Sequence, residues 1–182
     1  MATDARAAMI DAAIRILAED GYQAASFTEV IARSGAPRGS IYHHFPGGKD
    51  ELVAAALDVQ SARTFERLEQ LTGQDPVTVV RAFTDGWRRG LELTDFAVGC
   101  SLLAVSTSTG EGELRAKAGG LFRDWRGLLA RLFVAGGMDP ARAQGFAAQV
   151  LAATEGAVAI SRAERSFESF DLVTAQLRGA AG

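Results

Sequence analysis

The sequence predicts an all-α protein with about nine helices, on the basis of three observations. Apolar residues recur at three- and four-residue spacings along most of the chain, and no segment has the pattern of a strand. Glycines or Asp-Pro pairs stand where the periodic segments end or begin. The chain has 182 residues, 48% of them hydrophobic, which is enough to bury the core of one compact unit or of a small domain attached to a larger one.

The first two predicted helices are a long one and a short one. Apolar residues at helical spacing over residues 4–20 predict the first helix, and Gly21 ends it because glycine readily takes the left-handed conformation. Ser26 and Glu29 have the S-x-x-E spacing of a capping box, which predicts that a short helix starts there. Gly35 ends this second helix after about two turns.

A second short helix follows at once. Pro37 is expected at its first position, which proline favours, and the helix includes Ile41 and Tyr42. The Phe-Pro-Gly-Gly run at residues 45–48 ends it. Two short helices that are separated by a tight turn with a glycine, and flanked by longer helices, indicate a helix-turn-helix, whose second helix enters the major groove of DNA.

Six further segments complete the predicted fold. Asp-Pro pairs at residues 75–76 and 139–140 each supply an N-cap and a first helical residue. The segments are expected over residues 49–73, 76–91, 97–112 (a short apolar helix and a loop), 113–135, 140–165 and 167–178. Residues 1–47 are expected to form a three-helix unit with two very short helices, the helix-turn-helix domain, and residues 48–182 a body of longer, largely apolar helices. Because no linker stands between the two parts, the fourth helix is expected to join them.

The chain is acidic overall but cationic in one window. The formal net charge is −3, whereas a nucleic-acid-binding protein usually carries a basic patch. No acidic residue stands between Glu29 and Asp50. The window contains Arg33, Arg38 and Lys49, together with His43 and His44. Because screening limits the reach of a charge to about 10 Å, a local patch of this kind suffices for contact with DNA.

The third helix and the start of the second supply the groups expected to contact DNA. Arg38 has the paired donors that read guanine or grip a phosphate, and Gly39 lets the backbone come close to the duplex. Ser40 is expected to donate its hydroxyl to a phosphate oxygen. Thr28 adds a hydroxyl near helix-terminus amides, which favour an anion.

A second group of polar donors follows in the same segment. Tyr42, His43, His44 and Lys49 are suited to phosphates, although Tyr42, like Phe45, also fits a role in sealing the core. Lys49 is alternatively a solvated residue at a helix start, but the helix dipole disfavours a cation there. Adjacent histidines on a helix point about 100° apart, so His43 and His44 do not form a metal-binding pair.

Several protein classes are excluded by what the sequence lacks. Both histidines lie within residues 1–47, and there is no Gly-x-Ser-x-Gly, His-Glu-x-x-His or phosphate-loop string, so we expect no enzyme. Cys100 is the single cysteine, which excludes a disulfide framework and a Cys-rich zinc site, and no cofactor is expected. No run of eighteen apolar residues and no secretory signal is present, so we expect a cytoplasmic protein. A helical adaptor that binds only protein stays the alternative, and salt-dependent binding to duplex DNA separates the two.

Residues 24–52, AASFTEVIARSGAPRGSIYHHFPGGKDEL, resemble the N-terminal signature of the TetR/AcrR family of one-component transcriptional repressors. The shared elements are Thr28, Ile31-Ala32, Gly35, Gly39, Tyr42, His44-Phe45, Lys49 and Leu52. Gly99-Cys100 and the triplet at residues 155–157 further resemble the LmrA/YxaF-like branch. Pro37 departs from the pattern, because the family commonly has a serine there.

The resemblance implies a fold of nine or so helices, three of which form a DNA-binding head. The remaining helices would form a ligand-binding and dimerising body, residues 48–182 of this chain. A homodimer of this kind binds operator DNA, and a small apolar or aromatic effector releases it. By position, Arg38, Gly39 and Ser40 would lie near bases or backbone, whereas Thr28, Tyr42, His44 and Lys49 would hold phosphates.

The body offers candidates for the effector site, all of them apolar residues at helical spacing. They are Phe83, Trp87, Phe96, Cys100, Leu103, Phe122, Trp125 and Leu129. Each belongs either to the core or to the lining of a cavity between body helices. The tryptophans are favoured because they stack on an aromatic ring, and Cys100 is either a small buried residue or a thiol sensor.

The last two helices are the candidates for the dimer interface. Small residues on the first of them let two backbones approach closely, or simply pack in the core. With the family resemblance in mind, the two helices are expected to form a four-helix interface with their partners. The residues proposed for it are Gly145, Ala148, Ala152, Gly156, Ala159, Phe167, Phe170 and Val173.

Overall fold

A computed structural model describes the backbone of Ala2–Gly182 and the side chains from Ala5 onward, and it confirms the all-α fold. These residues form nine helices and no strand. The helices are α1 (Ala2–Glu19), α2 (Phe27–Ser34), α3 (Ser40–His44), α4 (Lys49–Glu69), α5 (Pro76–Leu93), α6 (Ser101–Ser108), α7 (Glu113–Ala135), α8 (Pro140–Glu164) and α9 (Glu168–Ala181). Met1, with which the predicted residue 1–47 domain begins, lies outside the described residues.

The described residues divide into two compact units. The first unit comprises the residues up to Ala62 with Cys100–Leu121, and the second comprises Arg63–Gly99 with Phe122–Gly182. The predicted boundary between residues 47 and 48 separates a DNA-binding part from a ligand-binding and dimerisation part, which is a division by function. It stays a prediction. Within Ala2–Gly182, no helix has the length and apolar character that crossing a membrane requires.

In the first unit, α1 packs against both short helices. Ile16 and Leu17 on α1, Val30 on α2 and Ile41 on α3 are buried, and Phe45 directly after α3 is fully buried. The alternative core role of Phe45 is therefore confirmed. Burial of these apolar side chains fixes α2 and α3 on α1, so the exposed face of the short helices is held in one orientation.

The predicted caps of α2 are confirmed. The Oγ of Ser26 accepts the N–H of Glu29 at 3.2 Å, and Gly35 ends the helix in the left-handed region with φ 68°. The N–H of Gly35 donates to the carbonyl of Ile31 at 3.1 Å. The N–H of Ser26 donates to the carbonyl of Ala24 at 2.7 Å and the carboxylate of Glu29 binds the guanidinium of Arg33 at 2.6 Å, so these two groups have other partners than each other, and the serine half of the capping box is the half that forms.

The third helix begins three residues later than predicted, at Ser40 instead of Pro37. The carbonyl of Pro37 accepts both the N–H of Ser40 at 3.0 Å and its hydroxyl at 2.6 Å. These bonds close a turn, so Arg38 and Gly39 lie in the turn before α3 and not in its first helical turn. The expectation that Pro37 opens the helix was wrong because the serine hydroxyl stabilises a separate turn.

In the second unit, α8 packs against α9 and α5, and α9 packs against α5. The core between them contains Leu91, Ala157, Val158 and Phe170, all 2% exposed or less. Asp75 caps α5 by accepting the N–H of Thr78 at 3.0 Å, as the sequence predicts. The carboxylate of Asp139 likewise caps α8, accepting two backbone N–H groups of its first turn at 3.0 Å.

Candidate nucleic-acid interface

The turn before α3 and the outer face of α3 present a row of exposed side chains. Arg38, Gly39, Tyr42 and His43 are exposed, and Tyr42 is 69% exposed although it is a large aromatic residue. Thr28 in the first turn of α2 is exposed as well. A tyrosine this exposed beside an arginine is suited to an external partner, because its ring and hydroxyl both remain available.

A shallow hollow between α2 and α3 brings three of the predicted DNA-binding residues together. Its volume is about 230 Å³, and its lining residues are Phe27, Thr28, Ile31, Arg38, Ile41 and Tyr42. The rings of Phe27 and Tyr42 meet edge to face, with centroids 5.4 Å apart. The hollow therefore has an apolar floor and a rim that carries the hydroxyls of Thr28 and Tyr42 and the guanidinium of Arg38.

Arg38 and Arg33 differ in the carboxylates around them. Arg33 makes ion pairs with Glu19 at 3.1 Å, Asp20 at 2.7 Å and Glu29 at 2.6 Å. These partners raise the pKa of Arg33, the hydrogen bond with Glu29 contributing most. Within the described part of the chain, no carboxylate pairs with Arg38. The positive charge of this window is therefore smaller in the folded protein than in the sequence, because acidic residues at and beyond its edge neutralise Arg33.

Ser40 and His44 are less exposed than Arg38, whereas His43 is as open to solvent. The hydroxyl of Ser40 is engaged with Pro37 and its side chain is half-buried, so its contact with a phosphate stays a prediction. His43 is exposed and His44 is half-buried, and their rings lie 5.5 Å apart in an edge-to-face arrangement. Among the described residues, no three His, Cys, Asp or Glu side chains come together as a metal ion would require.

Lys49, at the start of α4, points its ammonium group into the head instead of leaving it in solvent. Its Nζ donates to the carbonyl of Gln23 at 3.3 Å and lies 4.0 Å from the centre of the Tyr22 ring. Partial burial lowers the pKa of Lys49. The hydroxyl of Tyr22 in turn donates to Oδ1 of Asp50 at 2.6 Å, and this bond, with desolvation, raises the pKa of Tyr22 to about 12.

Tyr22 and Asp50 were not among the residues predicted from the sequence. Tyr22 and Tyr42 are the two tyrosines of the chain, and both lie in its first 47 residues. The placement of both tyrosines in this part of the chain was the sequence signal that could have pointed to Tyr22. It does not reveal a bond between residues 28 positions apart.

The candidate effector residues are distributed over the core of the second unit and a part of the first. Phe83, Trp125 and Leu129 are buried, and the ring centroids of Phe83 and Trp125 are 6.2 Å apart. Trp87 and Phe96 are half-buried and pack against the core cluster that contains Leu91 and Phe170. In the first unit Cys100 is buried and its Sγ accepts the N–H of Leu103 at 3.5 Å, and Leu103 is half-buried. Phe122, in the second unit, is half-buried too. Their binding of an effector stays a prediction.

The candidate dimer residues fall into two groups. Gly145, Ala152, Gly156 and Ala159 are exposed along α8, and Ala148 is half-buried. On α9 and just before it, Phe167 and Val173 are half-buried against the core, and Phe170 is 1% exposed inside it. The side chain of Phe170 is thus occupied within the protomer. Two further exposed apolar residues lie on the same helices, Ile160 at 45% and Leu172 at 65% exposure; Leu172 was expected in the interface from the sequence, and Ile160 was not.

Comparison with known proteins places this geometry in a family. Residues 9–56 match the family model described as bacterial regulatory proteins of the tetR family, and residues 76–176 match the C-terminal domain of LmrA/YxaF-like transcriptional regulators. An uncharacterised HTH-type transcriptional regulator of Mycobacterium tuberculosis is 34% identical over 180 residues, which are 95% of this chain and 92% of the relative.

Solved structures have the same fold at lower identity. A TetR transcriptional regulator from Legionella pneumophila superposes with a TM-score of 0.84 at 18% identity, covering 96% of both chains. The transcriptional regulator FadR from Bacillus subtilis, solved in complex with stearoyl-CoA, gives a TM-score of 0.71 at 16% identity over 97% of both chains. With the helix-turn-helix described above, these matches show that the chain belongs to the TetR family of DNA-binding transcriptional regulators, which are not enzymes, and that its C-terminal part is of the LmrA/YxaF-like type.

Proposed function

We propose that this regulator is a dimeric repressor that a small apolar or aromatic effector releases from its operator. The observation that carries the DNA-binding part is the exposed guanidinium of Arg38, with which no described carboxylate pairs, beside the exposed Tyr42 on the rim of one hollow. Operator DNA lies in the bacterial cytoplasm, so we assign the protein to that compartment.

Most of the predicted DNA-binding residues of the head have a role in this proposal. Arg38 reads a guanine edge in the major groove, and Gly39 lets the backbone of the turn approach the duplex. Thr28, Tyr42, His43 and His44 donate to phosphates. Ser40 and Lys49, which the sequence also offers as phosphate contacts, are assigned instead to the bonds that their polar groups make within the protein. The acidic remainder of the chain repels DNA, so affinity depends on these few contacts.

Dimerisation through α8 and α9 is part of the same proposal. The exposed small residues of α8 allow close approach of a second backbone, and Ile160 and Leu172 add apolar surface on the same two helices. Gly145 and Gly156 have open space where a Cβ would stand, so nothing within the protomer requires glycine there. Two heads are needed because a helix-turn-helix dimer reads two half-sites about one helical turn or more apart.

The effector class rests on the apolar side chains of the body. Trp87, Phe96 and Phe122 keep part of their surface exposed, which suits contact with an apolar or aromatic ligand. FadR, which has the same fold, was solved in complex with stearoyl-CoA, a ligand with a long apolar chain, and this supports an apolar effector. An effector that favours a head spacing unsuited to the operator lowers DNA affinity by a coupling free energy of typically about 1–3 kcal/mol.

The test combines DNA binding with an effector screen. Fluorescence anisotropy with a duplex from the promoter of its own gene should show tight, salt-dependent binding with two protomers per site. A thermal-shift screen of apolar and aromatic compounds should yield one that raises the melting temperature and weakens operator binding. Binding that does not depend on salt, or equal affinity for a scrambled duplex, would contradict the DNA-binding part. A compound that stabilises the protein and strengthens operator binding would contradict release.

A further inference from the structure

We propose that Tyr22 is a positioning residue for operator binding: with Asp50 and Lys49 it ties the loop between α1 and α2 to the first turn of α4. In this way it would set where α2 presents its first turn to the duplex. This inference rests on the proposed operator binding, and it concerns residues that make no contact with DNA themselves.

Three contacts form the tie, and all of them lie within the first unit. The hydroxyl of Tyr22 donates to Asp50 at 2.6 Å, the ammonium of Lys49 lies 4.0 Å from the centre of the Tyr22 ring, and Lys49 donates to the carbonyl of Gln23 at 3.3 Å. The ring of Tyr22 is therefore held at its hydroxyl end by an anion and on its face by a cation. A hydrogen bond to a charged group and a cation–π contact are each stronger than their neutral counterparts.

The position of Lys49 in α4 supports a role inside the head. A cation in the first turn of a helix is disfavoured by the helix dipole, and partial burial lowers the pKa of Lys49 further. The Tyr22 ring and the Gln23 carbonyl offset both effects, because each presents negative partial charge to the ammonium. An ammonium that is directed at these two groups is turned away from a phosphate contact.

The loop carries the position of Tyr22 on to α2. The N–H of Ala25 donates to the carbonyl of Tyr22 at 3.2 Å, and the N–H of Ser26 donates to Ala24 at 2.7 Å. Ser26 is the N-cap of α2, and Phe27 directly after it contacts the ring of Tyr42. Because the turn is closed by these bonds, a displacement of Tyr22 is expected to move the cap and the start of α2, where Thr28 and the hollow lie.

The experiment measures operator affinity and its salt dependence for Tyr22→Phe, Asp50→Ala, the double variant and Lys49→Gln in the full-length protein. Anisotropy is recorded with the promoter duplex between about 50 and 200 mM salt, since each lost phosphate contact lowers the salt slope by about 0.9. Loss of one hydrogen bond predicts about three- to tenfold weaker binding for Tyr22→Phe, with an unchanged slope. The double variant should bind no more weakly than Asp50→Ala alone, and Lys49→Gln should keep the wild-type slope.

A stability control separates positioning from simple destabilisation. Val79→Ala removes buried atoms from α5 in the second unit and should lower the melting temperature without weakening operator binding. Wild-type affinity in Tyr22→Phe, additive losses in the double variant, or a slope lowered by about 0.9 in Lys49→Gln would each overturn the inference. Failure of the wild-type protein to bind the duplex would overturn the proposed function, and this inference with it.

Discussion

The ring of Phe27, the first residue of α2, meets the ring of Tyr42 on α3 edge to face at a centroid distance of 5.4 Å. Tyr42 is 69% exposed, so this contact restrains a side chain that otherwise projects into solvent. An exposed aromatic residue that is restrained on one edge loses less conformational freedom when it binds a partner. The contact between the two short helices therefore restrains the position of the Tyr42 hydroxyl.

Phe27→Ala should consequently weaken operator binding although Phe27 carries no polar group. An aromatic pair is worth about 0.5–1.5 kcal/mol, which corresponds to an affinity loss of about two- to twelvefold if the contact is needed for binding. The salt slope should not change, because no charge is removed. Anisotropy at several salt concentrations measures both quantities. Phe27→Leu, which keeps most of the apolar volume, serves as the control and should lie between wild type and Phe27→Ala, and an unchanged affinity in Phe27→Ala would contradict this role.

Arg38→Ala should weaken binding by about 1–3 kcal/mol and relax the preference for one base pair of each half-site. The reason is that Arg38 is exposed and no described carboxylate pairs with it, so its guanidinium donors are available to DNA. The measurement is anisotropy with the promoter duplex and with duplexes changed at one base pair at a time.

Arg33→Ala is the matched control for this prediction. It removes the same charge from the same head, but Arg33 is engaged with Glu19, Asp20 and Glu29. Its loss should leave base preference unchanged and lower stability only slightly, because exposed ion pairs contribute about 0–1 kcal/mol. A relaxed base preference in Arg33→Ala, or an unaltered one in Arg38→Ala, would contradict the assignment.

How much of this fold was predictable depends on the range of the interactions involved. The caps at Asp75, Asp139 and Ser26 were predictable from the sequence because each joins atoms no more than three residues apart. The start of α3 was misplaced although its signal is equally local. Pro37 favours the start of a helix, but the hydroxyl of Ser40 donates to the carbonyl of Pro37 and stabilises a turn there instead.

The contacts that the sequence did not reveal join distant residues. Arg33 lies 14 residues from Glu19, and the bond between Tyr22 and Asp50 spans 28 residues. Such pairs form only because α1 packs on α2 and the loop after α1 reaches α4, which depends on the burial of residues elsewhere. A charge count along the sequence therefore overstated the cationic window, and no periodicity identified the aromatic residue beside Lys49.

The raised pKa of Tyr22 predicts a pH-dependent contribution to stability. The bond with Asp50 requires the neutral phenol, and it raises the pKa of Tyr22 from the ordinary value of 10.0 to about 12 in the folded protein. Because the pKa of Tyr22 is higher in the folded protein than in the unfolded one, the stability that the bond contributes is fully present below about pH 10. It is lost as the pH rises towards 12. The difference in unfolding free energy between wild type and Tyr22→Phe, measured by urea titration, should be constant up to pH of about 10 and shrink above it.

Phenolate absorbance provides the direct measurement. Tyr42→Phe leaves Tyr22 as the only tyrosine, and its ionisation should have a midpoint of about 12. Asp50→Ala in that background should lower the midpoint, because the hydrogen bond with the carboxylate is the largest cause of the raised pKa. An unaltered midpoint after removal of Asp50 would contradict the described bond.

Gly156→Leu should weaken dimerisation without destabilising the protomer. In the protomer Gly156 is exposed on α8, and apart from the backbone of its own helix no heavy atom lies within 4 Å of the place that a Cβ would occupy, so a β-carbon meets no obstacle there. Leucine also favours a helix interior over glycine by about 1 kcal/mol, which should stabilise an isolated protomer slightly. If a second backbone lies against this stripe of α8, a leucine side chain holds it away and weakens dimerisation.

Sedimentation velocity over a range of protein concentrations measures the dimerisation constant of wild type and variant. We expect Gly156→Leu to dissociate at concentrations where wild type is dimeric, and to lose operator affinity because a single head reads only one half-site. Ala141→Leu, at an exposed position in the first turn of the same helix, is the control for an added apolar side chain. Wild-type dimerisation in Gly156→Leu would show that the partner chain packs elsewhere, because a close helix contact at Gly156 cannot accept a leucine side chain without overpacking.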